Sequence, residues 1–343
     1  MADVAKKTVL VIGGGAVGAI AALNLDAGGL AEVTIVLRSN YEAVQKSGYD
    51  FESCDHGTVK SWKPSVVRNT IPNITTENLP PYDFILLATK NIPDIPPTAT
   101  DLVLPALPQQ NTHTTLILLQ NGLNIQLPFL ATHPTTPVLS GVSLIGSAEL
   151  TPGQIVHDEP DRLFIGAFDN PNLRPEQLED TAKSFVKCYA AAGKTSCVYS
   201  PDVLRDRWKK LVYNACLNPI CGIVGVDSGR VRLANGALDG LVRPAMREIV
   251  LAAKVRAGVE LDADVVQKTI EMDPLTSYLK PSMQQDLEKG NFIEFENLLG
   301  EPLREGQKAG VAMPTLQVLY HLAKAIQWRN MEKKGLVEVP KKV

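Results

Sequence analysis

An α/β domain followed by an all-helical one is what this 343-residue sequence predicts. Three observations carry that expectation. A short β-branched run, Thr8-Val9-Leu10-Val11-Ile12, leads directly into Gly13-Gly14-Gly15-Ala16-Val17-Gly18. Strand-like and helix-like stretches then alternate as far as Tyr199. From Asp202 helical spacing dominates, and no strand intervenes.

Taken in order, the first element is a strand at Thr8 to Ile12, and the Ala/Leu-rich helix from Ala19 to Leu25 follows the glycines. Strand, G-x-G-x-x-G and helix in that order form the dinucleotide-binding fingerprint of a Rossmann-type domain. Gly13 permits the tight turn, Gly15 allows backbone to approach a pyrophosphate, and Gly18 allows close helix–strand packing. Gly14, Ala16 and Val17 complete the cofactor-binding turn, and the helix N-terminus offers N–H groups to the anion. A second strand is expected at Ala31 to Leu37, a helix at Tyr41 to Lys46, and strand-like pieces near Tyr49 to Ser53 and Thr58 to Val67. Buried parallel strands follow at Phe84 to Thr89, Thr114 to Leu119 and Val138 to Ile145, each a continuous apolar run bounded by Pro, Asn or Gly. Gln154 to His157 and Arg162 to Ile165 read as a short antiparallel addition around Glu159-Pro160. A helix from Pro175 to Ala191 and a strand at Ser196 to Tyr199 close this half. The helical half should contain Val203 to Asn218, Leu238 to Ala257, Asp262 to Glu271, Phe292 to Ala309 and Thr315 to Arg329. These readings give a dinucleotide-binding domain over 1–200, a helical substrate domain over 201–331 and a Lys-rich tail over 332–343. A cleft between the two domains is the expected ligand site.

Bulk properties exclude several classes. With 45% hydrophobic and 21% charged residues the composition is that of an ordinary soluble globular protein. A net charge of -3 argues against nucleic acid or an anionic membrane as partner. No apolar run approaches the length needed to span a bilayer, and too few residues precede the first strand for a signal peptide. The five cysteines are odd in number and scattered, and Cys216 with Cys221 lack the paired spacing of a zinc site. No metal is expected, and free buried thiols place the chain in the cytoplasm.

The second strand sets the cofactor preference. NAD-binding versions of this fold end that strand in Asp or Glu, whereas this one ends Val36-Leu37-Arg38-Ser39-Asn40. A guanidinium there suits a 2′-phosphate, so NADPH is the expected cofactor, with Arg38 on its phosphate. Two other strand ends, Thr89-Lys90-Asn91 and Gln120-Asn121-Gly122, should face the same crevice, where either Lys90 and Asn121 reach cofactor or substrate, or Asn121-Gly122 is a turn and Lys90 an exposed loop residue. In the helical half Lys210, Asn214 and Asn218 recur every four residues, which predicts one shared helix face, bent or ended by Pro219. Ser282 after Pro281 marks a helix start, where capping is its simplest role. Glu294 opens a long helix, where it also suits the dipole.

Together these pieces resemble the ketopantoate reductase (2-dehydropantoate 2-reductase) family, from about residue 8 to about residue 328. The resemblance rests on the glycine motif, Thr89-Lys90, Gln120-Asn121-Gly122, Lys210 with Asn214 and Asn218-Pro219, Pro281-Ser282-Met283 with Gln285-Asp286, Glu294, and Gly310-Val311 with Pro314. It implies NADPH-dependent reduction of 2-dehydropantoate to pantoate, a step towards pantothenate. Lys210 would be the general acid and Glu294 its catalytic companion, holding the substrate hydroxyl. Asn121, Asn214, Asn218 and Ser282 would bind substrate, and Asn121 would also bridge to the cofactor. Three stretches depart from the family pattern: Asn91-Ile92-Pro93, Cys221-Gly222 and Ile293-Glu294-Phe295-Glu296. These are expected to line the pocket and so bear on which acid is reduced. Reduction of another 2-oxo acid, or a non-catalytic NADPH-binding regulator, are the competing readings. The partner is a small 2-oxo acid, and assembly stays open, with a homodimer among the options.

Overall fold

The structure, a computed structural model, describes residues 5–108 and 113–340; the last three residues of the expected tail lie outside this range. Two compact units divide the chain. The first comprises Met1–Thr89, Pro96–Gln120 and Ile125–Val203, and the second Lys90–Ile95, Asn121–Asn124 and Leu204–Val343.

The first unit is built on strands β1 (Lys7–Ile12), β2 (Ala31–Val36), β3 (Tyr49–Ser53), β4 (Gly57–Trp62), β5 (Val66–Arg68), β6 (Phe84–Leu87), β7 (Thr115–Leu118), β8 (Val138–Thr151), β9 (Gln154–Ala167) and β10 (Ser196–Tyr199). They form one sheet in the order β4-β3-β9-β8-β7-β6-β1-β2-β5, with β10 beside β9. From β8 through β5 every pairing is parallel, which is the Rossmann-like part of the sheet. Helices α1 (Ala16–Ala27), α2 (Tyr41–Ser47), α3 (Ala99–Val103), α4 (Leu127–Thr132) and α5 (Pro175–Tyr189) accompany it. Strand periodicity of two sorts the apolar residues onto both faces. Val9, Val11 and Ile35 join one buried cluster, while Leu10, Ile12 and Val36 join the other. Each such fully buried side chain contributes about 1.5–3 kcal/mol of transfer free energy.

Two expectations for this unit fail. Residues 154–165 are not a short addition turning at Glu159-Pro160, because β8 and β9 form a long antiparallel hairpin. Pro160 is tolerated because the register shifts between Leu144 and Gly146, where the ladder needs no N–H from it. The Thr58 to Val67 piece is two strands: β4 pairs antiparallel with β3, whereas β5 pairs parallel with β2.

The second unit contains α6 (Val203–Asn214), α7 (Leu217–Val224), α8 (Ser228–Leu233), α9 (Arg243–Ala257), α10 (Val265–Glu271), α11 (Ser282–Glu288), α12 (Glu301–Lys308) and α13 (Pro314–Lys333). Its core joins Val212, Ile220, Ile249, Leu299 and Leu316 with Leu123 from the short second segment. The expected helix Val203 to Asn218 is interrupted at Ala215 and Cys216, before Pro219 rather than after it. Pro219 sits in the first turns of α7, where a missing N–H costs little. Lys210 and Asn214 therefore share α6, and Asn218 belongs to α7, so the three do not share a helix face. The expected helices at 238–257 and 292–309 also subdivide. Each contains a π-helical stretch, Leu238–Val242 and Glu296–Gly300, immediately before a segment carrying Pro244 or Pro302. A proline cannot donate to the preceding turn, and the wider winding absorbs that defect. Glu294 precedes this helical run instead of lying in it. Ser228-Gly229 opens α8, and α13 runs to Lys333, into the expected tail. Among the described residues no helix is long and apolar enough to cross a membrane. Cys188, Cys197, Cys216 and Cys221 are buried, but Cys54 is exposed.

Candidate functional site

In the first unit the glycine turn connects β1 to α1, and sterics explain its composition. Gly13 has φ +103°, and a Cβ there would meet the Thr89 backbone nitrogen at 2.8 Å. A Cβ on Gly18 would lie 1.8 Å from the Gly13 carbonyl oxygen, so α1 approaches the turn only because that position is bare. Around Gly15, by contrast, nothing lies within 4 Å of an added Cβ. Ala16 and Val17 begin α1, whose first turn has neither a side-chain cap nor an acidic residue. Open backbone at Gly15 with unneutralised N–H groups behind it fits a pyrophosphate. Arg38 and Ser39 are exposed just beyond β2, whose own sequence ends in no acidic residue. Three residues missed in the sequence hold the turn. Asn40 and Tyr49 donate to the Gly14 carbonyl, both at 2.7 Å, and Asn40 also donates to Glu149 at 2.9 Å. Nothing in their spacing signals this, because they approach from three separate elements.

The second unit gathers most of the other expected residues, since Lys90 and Asn121 belong to its two short segments. Lys210 Nζ donates to Asn121 Oδ1 at 2.8 Å. One turn earlier on α6, the buried Arg207 donates from Nη1 to the Gly122 carbonyl at 2.8 Å, securing the residue next to Asn121. Glu294 is buried, and its Oε1 accepts the Asn91 backbone N–H at 2.9 Å. Its Oε2 lies 3.6 Å from Lys90 Nζ, which also pairs with Asp286 at 2.7 Å. Asn297 braces both segments. It accepts from Asn91 Nδ2 at 3.1 Å, donates to the Leu123 carbonyl at 2.9 Å, and takes the Leu123 N–H on its own carbonyl at 2.9 Å. At Gly122, φ +100°, a Cβ would strike Asn297, so glycine is required for this approach.

Asn218 is buried, donating to Ser282 Oγ at 3.2 Å and accepting the Met283 N–H at 2.8 Å. Pro281, not Ser282, holds the N-cap position of α11, so the expected capping role passes to Asn218 from outside the helix. Asn214 ends α6 half-buried. Sequence reasoning missed Arg207 and Asn297, and it quoted Asn91 and Asp286 without assigning them the bracing and pairing roles they take. Arg207 was hidden in the charged run Arg205 to Lys210. Among the family departures, Cys221, Ile293 and Phe295 are core residues, and Asn91 is a brace.

Electrostatics separates the two lysines. Burial, followed by the positive charges of Arg207 and Lys90, pulls Lys210 down to about 8, against the opposing pull of Glu294. Burial acts in the same direction on Lys90, but Glu294 and Asp286 outweigh it and hold that ammonium above its ordinary value. Neighbouring groups whose environments drive their affinities for protons apart are suited to different tasks. Lys210 can give up a proton near neutrality; Lys90 stays charged.

Residues 9–170 match the family described as Ketopantoate reductase PanE/ApbA, and residues 202–327 match its C-terminal counterpart. The chain belongs to the ketopantoate reductase family. An uncharacterized protein of Saccharomyces cerevisiae is 35% identical, with 97% of each chain covered. Among solved structures, 2-dehydropantoate 2-reductase from Methylococcus capsulatus is 29% identical, covers 94% of this chain and 97% of its own, and has a TM-score of 0.77. D-mandelate dehydrogenase, solved with NADH and anilino(oxo)acetate, shares the fold at 20% identity, with a TM-score of 0.78 and coverage of 94% and 99%. Ketopantoate reductase family members are oxidoreductases, and the glycine turn has the form of a dinucleotide-binding loop.

Proposed function

We propose that this chain reduces 2-dehydropantoate to pantoate with NADPH, Lys210 being the general acid. The observation that carries the reading is the Lys210 ammonium, held by Asn121 at 2.8 Å beside buried Glu294 and lowered to about 8. When bound, the reduced nicotinamide supplies a hydride to the carbonyl carbon of the acid. As charge grows on the ketone oxygen, Lys210 stabilises it by hydrogen bonding and then transfers its proton there. Asn121 fixes the ammonium. Glu294, oriented by the Asn91 N–H and Lys90, accepts the substrate hydroxyl. Asn214, Asn218 and Ser282 supply neutral donors for a carboxylate, which orient a small acid without over-stabilising its ground state. Gly13 to Gly18 receive the pyrophosphate, with Lys90 and Asn121 towards the nicotinamide end, and Arg38 with Ser39 takes the 2′-phosphate. The product is a step towards pantothenate, made in the cytoplasm. The test follows NADPH oxidation by absorbance with 2-dehydropantoate and a panel of other 2-oxo acids. Selective turnover of 2-dehydropantoate supports the assignment. Preference for another acid reassigns the substrate, and tight NADPH binding without turnover of any acid points to a regulator instead.

A further inference from the structure

Away from the glycine turn, the first unit carries a second cluster of chemistry-bearing side chains. Strand β9 runs antiparallel to β8, and β3 runs parallel to β9, so β3 points opposite to β1. Its C-terminal end therefore lies at the sheet edge opposite the one that bears Gly13. There Ser53 is in register with His157 of β9, and the turn into β4 supplies Cys54 and Asp55. One donor atom from each of Cys54, Asp55 and His157 falls within 4.8 Å of the others. Cys54 Sγ lies 3.8 Å from Asp55 Oδ1, and His157 Nε2 lies 3.7 Å from Asp55 Oδ2. Bonds of about 2.0–2.3 Å at the tetrahedral angle separate ligand atoms by roughly 3.3–3.8 Å; both Asp55 contacts fall in that range, through its two different oxygens, and a small turn of the exposed Cys54 side chain closes the rest.

A second observation points to a ligand. The His157 side chain is wholly buried, and among the described residues its Nε2 has no hydrogen-bond partner. A buried polar atom left in that state calls for an explanation, and an ion is one. Its other nitrogen, Nδ1, faces Ser53 Oγ at 2.8 Å. Asp55 Oδ2 is held by the Asp161 N–H at 2.9 Å. Orienting partners of this kind are usual behind metal ligands.

We propose that Cys54, Asp55 and His157 bind one zinc-class divalent ion, which fastens the β3–β4 turn to β9. Thiolate and imidazole donors select borderline transition ions over magnesium or calcium. Ion binding at Nε2 requires the ring proton of His157 on Nδ1, where it faces Ser53 Oγ, a hydroxyl that also takes the Asp55 and His56 N–H groups. Binding releases the Cys54 thiol proton, and because Cys54 is exposed, water completes the tetrahedron. Cys54 and Asp55 are adjacent in the β3–β4 turn and His157 lies far along the chain on β9, so their spacing in the sequence carries no metal motif.

The test titrates the full-length reduced chain with Co2+ anaerobically. One equivalent should produce the thiolate-to-cobalt charge-transfer band and the visible bands of tetrahedral Co2+, and Zn2+ should displace both. Cys54→Ser, an exposed change, should abolish the charge-transfer band and weaken binding at least about tenfold. His157→Gln should also bind more weakly. Zn2+ should raise the Tm of the parent chain and leave that of Cys54→Ser unchanged. Absence of the band at one equivalent overturns the proposal, as does an undiminished band in Cys54→Ser, which would place the ion on another cysteine.

Discussion

Arg207→Met should raise the pKa of Lys210 and move the alkaline limb of the rate profile with it. The two residues lie three apart on α6, so their side chains are neighbours at about 6 Å. At that distance two unit charges repel by about 0.7 kcal/mol in bulk water and about 2.8 kcal/mol at an effective dielectric of 20. Divided by 1.36 kcal/mol per unit, this is roughly 0.5–2 pH units, and removing the guanidinium should restore about one. The direction follows from the role of Lys210. A general acid works in its protonated form, so kcat is level below its pKa and falls above it. In the parent chain the fall should begin near pH 8, where Lys210 titrates. In Arg207→Met it should begin about one unit higher. Arg207→Lys keeps both the charge and a donor for the Gly122 carbonyl, so its limb should stay in place. The assay is kcat against pH at saturating NADPH and 2-oxo acid, with folding checked by circular dichroism. An unmoved limb in a folded Arg207→Met chain refutes the electrostatic coupling. Equal shifts in Arg207→Lys and Arg207→Met would assign the effect to lost geometry instead.

Other substitutions test the remaining roles. Lys210→Ala should lower kcat by about two to four decades, as loss of a general acid does, and near-normal turnover would remove it from the mechanism. Arg38→Ala should weaken NADPH binding far more than NADH binding; equal losses in a direct titration would refute the 2′-phosphate assignment. Glu294→Ala should chiefly raise KM, and an unchanged KM would count against contact with substrate. Lys210→Met should raise folding stability by on the order of 1–2 kcal/mol after allowance for solvent screening, measured as denaturant midpoint. Its folded pKa, about 8, lies below the ordinary 10.5, so the folded chain binds fewer protons between those values. Parent stability should therefore rise with pH across that window, and this slope should flatten in Lys210→Met.

The parts legible in the sequence are those where local chemistry and tertiary environment agree. The run Thr8 to Ile12, the glycines after it and the following helix each need their residue types for reasons visible within a dozen positions. The long β8–β9 hairpin was under-read because its outer half, including Glu149, Asp158 and Glu159, is only partly covered and lacks an apolar run. The break at Cys216 was misplaced because Pro219 was read as a stop, although early in a helix proline is harmless. Lys210 was identifiable through its spacing from Asn214 and Asn218, yet the helix assumed for all three does not exist. Arg207 and Asn297 could not have been singled out. Each matters because of a distant backbone carbonyl, at Gly122 or Leu123, and no periodicity records such a partner.

The bracing by Asn297 bears on how the polypeptide can be divided. It ties residues near position 297 to Asn91 and Leu123, which lie in the first half of the sequence. A fragment ending near residue 200 would contain Lys90 and Asn121 but neither the carboxylates that pair with Lys90 nor the ammonium that donates to Asn121. The complementary fragment would keep Lys210 and Glu294 yet lose the acceptor of one and the backbone donor of the other. Split expression should therefore yield pieces that fold in part and catalyse nothing until they reassociate, which makes recovered turnover a direct readout of reassembly.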